Sequence, residues 1–189
     1  MRKIIVSNMV SLDGFISGPN GELDWFVWGR ELERYTVEMM GTVDAIFFGR
    51  VTYEMMASYW PTDTANDPYI RERMNSLPKI VFSRTLEKVD WNNSSLVPVI
   101  DPERILRMKK MTGKNIVILG SGGIVSALTK LGLIDEYRII VNPVILGDGK
   151  SMFKGLEGSQ KLKLVYTRQL GSGVAILTYQ SLGKPAEKG

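Results

Sequence analysis

A glycine-rich turn in the second half of the chain constrains the fold more than any other feature. Asn115 to Leu119 is a short apolar run typical of a buried strand, and Gly120-Ser-Gly-Gly123 follows it directly. The apolar residues after the turn repeat at helical spacing, at Ile124, Val125, Leu128 and Leu131. A backbone without Cβ atoms approaches a phosphate closely, and the N–H groups of the next helix attract the anion. The stretch therefore predicts a strand, a phosphate-binding turn and a helix. A tight turn that binds nothing is the alternative.

Neither of the two common phosphate-binding motifs fits this chain. A Rossmann fingerprint requires a third glycine where Val125 stands, and it normally lies in the first strand-to-helix turn of a domain. Gly147-Asp-Gly-Lys-Ser151 looks like the end of a P-loop, but the required first glycine falls at Val144. We therefore predict no Walker motif.

The composition excludes several kinds of chemistry. The 189 residues are the size of one domain, and 44% hydrophobic with 23% charged residues is typical of a globular protein. The chain has no Cys and no His, which excludes disulfides, thiol nucleophiles, His-based triads and the usual zinc ligands. We expect no metal site. No apolar run approaches the ~20 residues that span a bilayer, so we expect a cytoplasmic protein that binds no membrane.

The net charge of +4 does not by itself indicate a nucleic-acid partner. The densest basic cluster falls on a predicted amphipathic helix and comprises Arg104, Arg107, Lys109, Lys110 and Lys114. No interleaved aromatic residues accompany it, so a solvated helix face is the better interpretation. We expect no nucleic-acid partner.

Strand and helix patterns alternate along most of the chain, which predicts an α/β fold with a mostly parallel central sheet. The predicted strands include Leu96–Ile100. Leu162–Arg168 and Val174–Ser181 flank a glycine-containing turn, so antiparallel strands are expected to close the sheet at the C-terminal end. Residues 1–182 are interpreted as a single domain and residues 183–189 as a polar tail.

The segment from Ser11 to Trp28 is predicted to be a long loop, because it contains five turn-forming residues. Loops of this length are uncommon in compact domains and are often functional. We therefore expect it to contribute to a binding site.

Three strand-to-helix junctions carry groups that bind phosphate. In an open α/β sheet the carboxyl ends of the strands share one edge, where ligands bind. Arginine, hydroxyl and helix N-terminal N–H groups would together hold a dinucleotide with several anionic groups. For any single arginine, a surface ion pair is the alternative. The candidate cofactor-binding residues are Gly49, Arg50, Thr52, Ser83, Arg84, Gly120, Ser121, Gly122, Gly123 and Ile124.

The order of the motifs carries a resemblance to a known family. The motifs are Val10-Ser-Leu-Asp-Gly-Phe-Ile16, Phe48-Gly-Arg-Val-Thr-Tyr-Glu54, Ile80-Val-Phe-Ser-Arg84, Leu119-Gly-Ser-Gly-Gly123, Leu133-Ile-Asp-Glu-Tyr137 and Pro143-Val-Ile-Leu-Gly-Asp-Gly149. Together they resemble the dihydrofolate reductase superfamily, specifically the branch of the C-terminal reductase domain of the bifunctional riboflavin-biosynthesis protein. The resemblance covers residues 2 to 181.

The resemblance implies an NADPH-dependent reductase with a three-layer fold, often a homodimer, that acts on a small heterocyclic or imine-type substrate. The activity implied is similar to that of 5-amino-6-(5-phosphoribosylamino)uracil reductase. The resemblance assigns Gly49, Arg50 and Thr52, with Ser83 and Arg84, to the NADPH phosphates. It assigns the glycine turn to the pyrophosphate.

The substrate side is less well defined. In the riboflavin branch the aspartate that matches Asp13 lies at the substrate and nicotinamide end. In folate reductases a helix carboxylate helps to protonate the pterin, and an ungapped count puts it near Glu33. We therefore regard Asp13 and Glu33 as candidate catalytic acids, with a turn cap and an exposed helix charge as the alternatives. Trp25 is a candidate substrate-binding residue, and Trp28 lies in the same loop.

The missing residues narrow the implied role. A zinc deaminase half requires a His/Cys cluster, which this chain lacks, so only the reductase half is expected. Two alternatives stay open at this point. One is a dihydrofolate or pterin reductase, and the other is a non-catalytic nucleotide-binding protein with the same sheet.

Overall fold

The computed structural model describes residues 1–183, so residues 184–189 of the predicted polar tail lie outside the described residues. In chain order the elements are β1 (Ile4–Val10), β2 (Phe15–Ser17), α1 (Arg30–Gly41), β3 (Val43–Gly49), α2 (Arg50–Tyr59), α3 (Pro68–Ser76), β4 (Lys79–Phe82), β5 (Ser94–Val97), α4 (Pro102–Lys110), β6 (Asn115–Ile118), α5 (Gly122–Lys130), β7 (Glu136–Val141), β8 (Lys150–Ser151), β9 (Leu162–Gln169) and β10 (Ala175–Ser181).

Eight strands form one sheet in the order β5-β4-β3-β6-β1-β7-β10-β9. The strands from β5 to β7 pair in parallel, whereas β10 pairs antiparallel with both β7 and β9. The predicted α/β fold with a mostly parallel sheet and antiparallel C-terminal strands is therefore confirmed. Because β6 lies between β1 and β3, the carboxyl ends of these three strands are neighbours at one edge of the sheet.

Helices cover both faces of the sheet, which gives the predicted three layers. Successive side chains of a strand point to opposite faces. Ile4, Val6 and Phe47 belong to a core cluster that includes residues of α4 and α5. Ile46 and Phe48 belong to a second cluster, with residues of α1, α2 and α3. The alternation of apolar residues along the strands therefore builds a core on each side of the sheet, and a third, smaller cluster joins Leu32 of α1 to Ile140 of β7 and Ile176 of β10.

Two local predictions differ from the structure. The predicted strand Leu96–Ile100 is wrong in its bounds: β5 lies over Ser94–Val97, and Val97 pairs with Phe82 of β4. Pro98 follows directly and has no N–H to continue the ladder, so the strand ends there. The predicted loop from Ser11 to Trp28 contains the short strand β2, which pairs antiparallel with β8.

The helices are short, and α1 has 12 residues. In the part of the chain that the structure describes, none is both long and apolar enough to cross a membrane.

Candidate functional site

A cavity of about 580 Å³ lies at the carboxyl ends of β1, β3 and β6. Its volume is within the range usual for small-molecule sites. The cavity is lined by the two junctions that follow β3 and β6, by the segment after β2, and by residues of α1, α2 and α3. It therefore brings two of the three predicted phosphate junctions to one space.

The junction between β3 and α2 contributes Gly49, Arg50 and Thr52, which all line the cavity. Gly49 precedes α2, and its N–H donates to Ser121 Oγ at 3.0 Å. Arg50 is exposed and forms an ion pair with Glu54 at 3.0 Å, one helical turn further on. The guanidinium is held at the cavity but stays in solvent.

The glycine turn between β6 and α5 makes close contacts on the cavity floor. Gly120 has a positive φ of 63°, and a Cβ at this position would lie 3.1 Å from Thr52 Cγ2. A Cβ on Gly122 would lie 2.9 Å from Ile16 Cδ1, whereas one on Gly123 would meet nothing within 4 Å. The positive φ and the close contact make a glycine at position 120 a requirement of the fold, whereas a side chain at position 122 would require Ile16 to move. Gly123 leaves space that a ligand can occupy.

Asn8 of β1 fixes the glycine turn by a hydrogen bond that its side chain accepts. It is a site residue that the sequence analysis missed. Its Oδ1 accepts a hydrogen bond of 2.7 Å from the Gly120 N–H, and the side chain is almost completely buried. The signal in the sequence was the pair Ser7-Asn8 inside an otherwise apolar strand. A buried amide in such a strand has a specific partner, because an unsatisfied one costs free energy.

Three described helices, α1, α2 and α5, lack a side-chain cap at their N-terminus, and two of them, α2 and α5, begin at the cavity. Within the described chain, α2 and α5 have no side-chain cap at their N-cap residues, Gly49 and Ser121. By contrast, Asp67 caps α3 and Asp101 caps α4 through their carboxylates. The first N–H groups of a helix lack partners within that helix and, with the helix dipole, attract anions. The N-termini of α2 and α5 both line the cavity.

Ser83 and Arg84, at the end of β4, lie next to the cavity and not in its lining. Phe82 pairs with Gly49, so the two residues follow the strand adjacent to the β3–α2 junction. Ser83 Oγ accepts hydrogen bonds from the N–H groups of Thr85 at 3.1 Å and Leu86 at 3.0 Å. Arg84 is exposed. A ligand would have to extend beyond the cavity along the sheet edge to reach them.

The structure does not bring Asp13 into the cavity lining. Its carboxylate accepts hydrogen bonds from the N–H groups of Leu146 at 3.2 Å and Gly147 at 2.8 Å. The Ser11 hydroxyl, together with these N–H groups, lowers the pKa of Asp13 from 3.8 to about 2. This geometry is that of a carboxylate which ties the turn before β8 to the turn before β2.

Glu33 and Trp25 also lie outside the lining. Glu33 is partly exposed on α1, whereas Thr36, one turn further on, faces the cavity. Trp25 Nε1 donates to the Glu22 carbonyl at 3.0 Å, and its ring packs edge-on against Phe26. The aromatic residues of this loop that do line the cavity are Phe26 and Trp28.

One side of the cavity extends between α1, α2 and α3. We call this side the methionine lobe, and it is formed by Met39, Met40, Met55, Met56, Trp60 and Met74. Trp60 Nε1 donates to Met56 Sδ at 3.0 Å, so its polar atom already has a partner. Thr36 borders the lobe, and its hydroxyl donates to the Leu32 carbonyl at 2.9 Å. The lobe therefore presents an apolar surface.

Charged side chains are few around the cavity. Over residues 1–183, the charged residues in the lining are Arg50 and Lys150, and no Asp or Glu lines it. Lys150 belongs to β8, and its Nζ lies 3.5 Å from the position that a Cβ on Gly21 would occupy. Positive charge is thus available at the α2 N-terminus and beside the segment after β2, and both places are outside the methionine lobe.

Comparison with known proteins identifies the relatives of this chain. Residues 2–176 match the family described as the RibD C-terminal domain. The chain is 33% identical over 180 residues to YyaP, an uncharacterized protein of Bacillus subtilis, with 94% of each chain covered.

Solved structures have the same fold. A crystal structure from Shewanella sp. PV-4, described as a candidate riboflavin biosynthesis protein, has a TM-score of 0.77 at 26% identity, with 95% of this chain and 98% of that chain covered. The Thermotoga maritima diaminohydroxyphosphoribosylaminopyrimidine deaminase/5-amino-6-(5-phosphoribosylamino)uracil reductase has a TM-score of 0.68 at 16% identity, with 95% of this chain and 56% of that chain covered. The family match over nearly the whole chain, the fold and the relatives agree: the chain belongs to the RibD C-terminal domain family.

Proposed function

We propose that the protein is an NADPH-dependent reductase that transfers a hydride to a small heterocyclic or imine-type substrate. The observation that carries this proposal is one cavity with two unlike parts. Uncapped helix N-termini and a glycine turn lie at one part, and apolar side chains line the other. A pyrophosphate fits the first part and a flat ring fits the second.

The cofactor side of the proposal rests on residues that fit a dinucleotide. Gly123 leaves open space at the N-terminus of α5, where its own N–H and that of Ile124 would meet the pyrophosphate. Gly49 and Thr52 would border the same group from α2. Arg50 and Arg84 lie along the edge that a ribose phosphate would follow, and a guanidinium binds phosphate with two parallel hydrogen bonds.

The substrate side needs an apolar place for the reacting rings and a source for one proton. A bound nicotinamide would supply the hydride. Phe26 and Trp28 would cover the nicotinamide ring. Ile140 and Met9 would pack beside that ring, because all four residues line the cavity. Since no carboxylate of the described residues lines the cavity, we assign the proton to water.

The two alternative functions have less support. A pterin reductase of the folate type uses a helix carboxylate, and Glu33 lies outside the cavity lining. A non-catalytic nucleotide-binding protein needs the phosphate groups but no second compartment. The apolar part of the cavity favours an enzyme, because it offers a place for a second molecule next to the nucleotide.

We also propose a homodimer, which the resemblance implies. The edge strand β9 is exposed over most of its length, and Leu164, Val165 and Tyr166 are 48%, 43% and 50% exposed. An unpaired edge with apolar residues favours pairing with another chain. Sedimentation velocity should give twice the monomer mass, whereas a monomer at all concentrations would contradict the dimer.

The experiment that tests the proposed function combines a cofactor titration with a substrate panel. Purified protein is titrated with NADPH, and NADPH oxidation is then followed with pyrimidine, pterin and quinone acceptors. We expect saturable NADPH binding and acceptor-dependent oxidation. Binding without oxidation across the whole panel would favour the nucleotide-binding alternative, and no binding would overturn the proposal.

A further inference from the structure

The methionine lobe is the part of the cavity that a phosphate-binding role leaves unexplained. Six of the chain's ten methionines line the cavity, and five of them lie in the lobe itself. Met39, Met40 and Met74 are almost completely buried, whereas Met55 is 40% exposed at the entrance. Methionine side chains are unbranched and polarizable, so they adapt to rings of different shape.

The lobe has no charged group to receive an ionic substrate. Arg50 lies at the N-terminus of α2, outside the lobe. Lys150 lies across the cavity on β8, close to Gly21. The hydroxyl of Thr36 donates to a helix carbonyl, so it is not free to bind an anion. A phosphate or carboxylate in the lobe would lose its water without gaining a partner, which costs much free energy.

We propose that the methionine lobe binds an uncharged, apolar ring of the substrate, and that the protein reduces neutral ring compounds such as quinones. This inference rests on the proposed function, since it names the substrate class of the same site. For a quinone the reaction balances with NADPH and one proton from water. The quinone takes up the hydride and the proton to give the hydroquinone, and NADP⁺ is released.

The NMR signals of the methionine methyl groups can show whether a ligand occupies the lobe. We would label the methionine ε-methyl groups with ¹³C in the full chain and record their NMR signals during titration with menadione, a neutral naphthoquinone. Menadione cannot modify thiols here, because the chain has no Cys. We expect the signals of Met39, Met55 and Met74 to shift, and that of Met111, which is 59% exposed outside the cavity, to stay in place. Uridine monophosphate and folate serve as the charged probes, and we expect neither to shift the three lobe signals.

A charge placed in the lobe gives the matching functional test. Met55→Lys puts an ammonium at the lobe entrance, where partial exposure lets the fold tolerate it. We expect it to weaken menadione binding roughly tenfold, because apolar contact is lost and a hydrated charge enters the site. Met111→Lys is the matched control, since it makes the same change at an exposed methionine, and it should leave menadione affinity unchanged.

The outcomes separate the inference from the proposed function. If NADPH binds but uridine monophosphate or folate shifts the lobe signals and menadione does not, the neutral substrate class is overturned and the reductase proposal stands. Equal losses of menadione affinity in Met55→Lys and Met111→Lys would also overturn the inference. If menadione occupies the lobe while NADPH fails to bind, the proposed function falls and the lobe is kept as an apolar binding site.

Discussion

Ser121 Oγ accepts a hydrogen bond of 3.0 Å from the N–H of Gly49 and so joins the two turns that line the cavity. The same hydroxyl lies 3.2 Å from the Leu119 carbonyl, to which it donates. Ser121 is the N-cap residue of α5, yet its side chain does not cap that helix. It holds the N-terminus of α2 instead, so the two helix N-termini keep a fixed separation at the proposed pyrophosphate site.

Ser121→Ala should therefore damage the cofactor site more than the fold. Loss of one hydrogen bond costs about 1 kcal/mol of unfolding free energy. We expect NADPH affinity to fall by roughly three- to tenfold, because the two turns are no longer joined. Calorimetric titration and denaturant unfolding measure the two effects. Ser126→Ala is the control, since that serine lies in the same helix and bonds to the Met152 carbonyl. An equal loss of NADPH affinity in both variants would contradict the role of Ser121 in joining the two turns.

Arg84→Ala tests the choice between NADPH and NADH. Arg84 is exposed at the end of β4, beside the β3–α2 junction. If it binds the 2′-phosphate, its loss should weaken NADPH by about ten- to hundredfold and NADH by no more than about twofold. Competition binding with both cofactors gives the ratio. Arg107→Ala, on the exposed side of α4, should change neither affinity. If Arg84→Ala weakened the binding of NADPH and NADH equally, Arg84 would support the fold and would not bind the 2′-phosphate.

Asp13 should contribute to acid stability. Its pKa is about 2 in the folded chain and close to 3.8 without these hydrogen bonds, so the unfolded chain takes up the proton first as the pH falls. The stability that Asp13 contributes is complete above about pH 4 and is lost as the pH falls through about 2. Denaturant unfolding of wild type and Asp13→Ala should therefore differ at neutral pH and converge in acid.

Asp13 is also a candidate catalytic acid by its sequence motif, and the variant Asp13→Asn tests that role. Because the Asp13 carboxylate lies outside the cavity lining, we expect Asp13→Asn to keep the wild-type shape of the pH profile of turnover. If turnover of Asp13→Asn lost a pH dependence that wild type shows, Asp13 would be the proton donor. That result would contradict the assignment of the proton to water.

Lys79 should make the stability of the protein depend on pH in the alkaline range. It is fully buried, and its Nζ donates to the carbonyls of Asn75, Leu77 and Asn92 and lies 4.4 Å from the Trp91 ring. Burial lowers its pKa from 10.5 to about 8. Lys79→Met leaves three carbonyls without this donor, and we expect a cost of about 2 kcal/mol or more.

The pH dependence of that cost has a definite sign. Between about pH 8 and 10.5 Lys79 is protonated in the unfolded chain and neutral in the folded chain. The free energy of unfolding of wild type should therefore rise with pH relative to that of Lys79→Met. Unfolding curves at three pH values across this window measure the difference. A difference that narrows as the pH rises would mean that the ammonium form is the one the fold prefers.

The sheet was predictable from the sequence to a large extent, because strand and helix periodicities differ and turn residues separate them. The β3–α2 and β6–α5 junctions were predictable as neighbours, since the carboxyl ends of parallel strands share an edge. The strand order was not, because nothing in the local pattern says that β6 enters between β1 and β3. The end of β5 was missed because Val99 and Ile100 continue an apolar run past Pro98.

The substrate side was less predictable, because its residues come together from distant parts of the chain. Met39 and Met55 have the helical spacing of ordinary core residues, and only the gap between α1, α2 and α3 turns them into a cavity wall. Trp25 and Trp28 lie three residues apart in one loop, where no periodicity tells which ring faces inward. Asp13 was a sound candidate by motif, but its two backbone donors come from the turn before β8.

The proposed cofactor site is tested most directly by titration of wild type and Gly123→Val with NADPH in a calorimeter. A Cβ on Gly123 meets nothing within 4 Å, so the variant should fold normally, with an unfolding midpoint close to that of wild type. Its side chain would fill the space that the pyrophosphate needs at the N-terminus of α5. We expect saturable NADPH binding by wild type and none by a folded Gly123→Val. Wild-type NADPH affinity in that folded variant, or no NADPH binding by wild type, would contradict the proposed cofactor site.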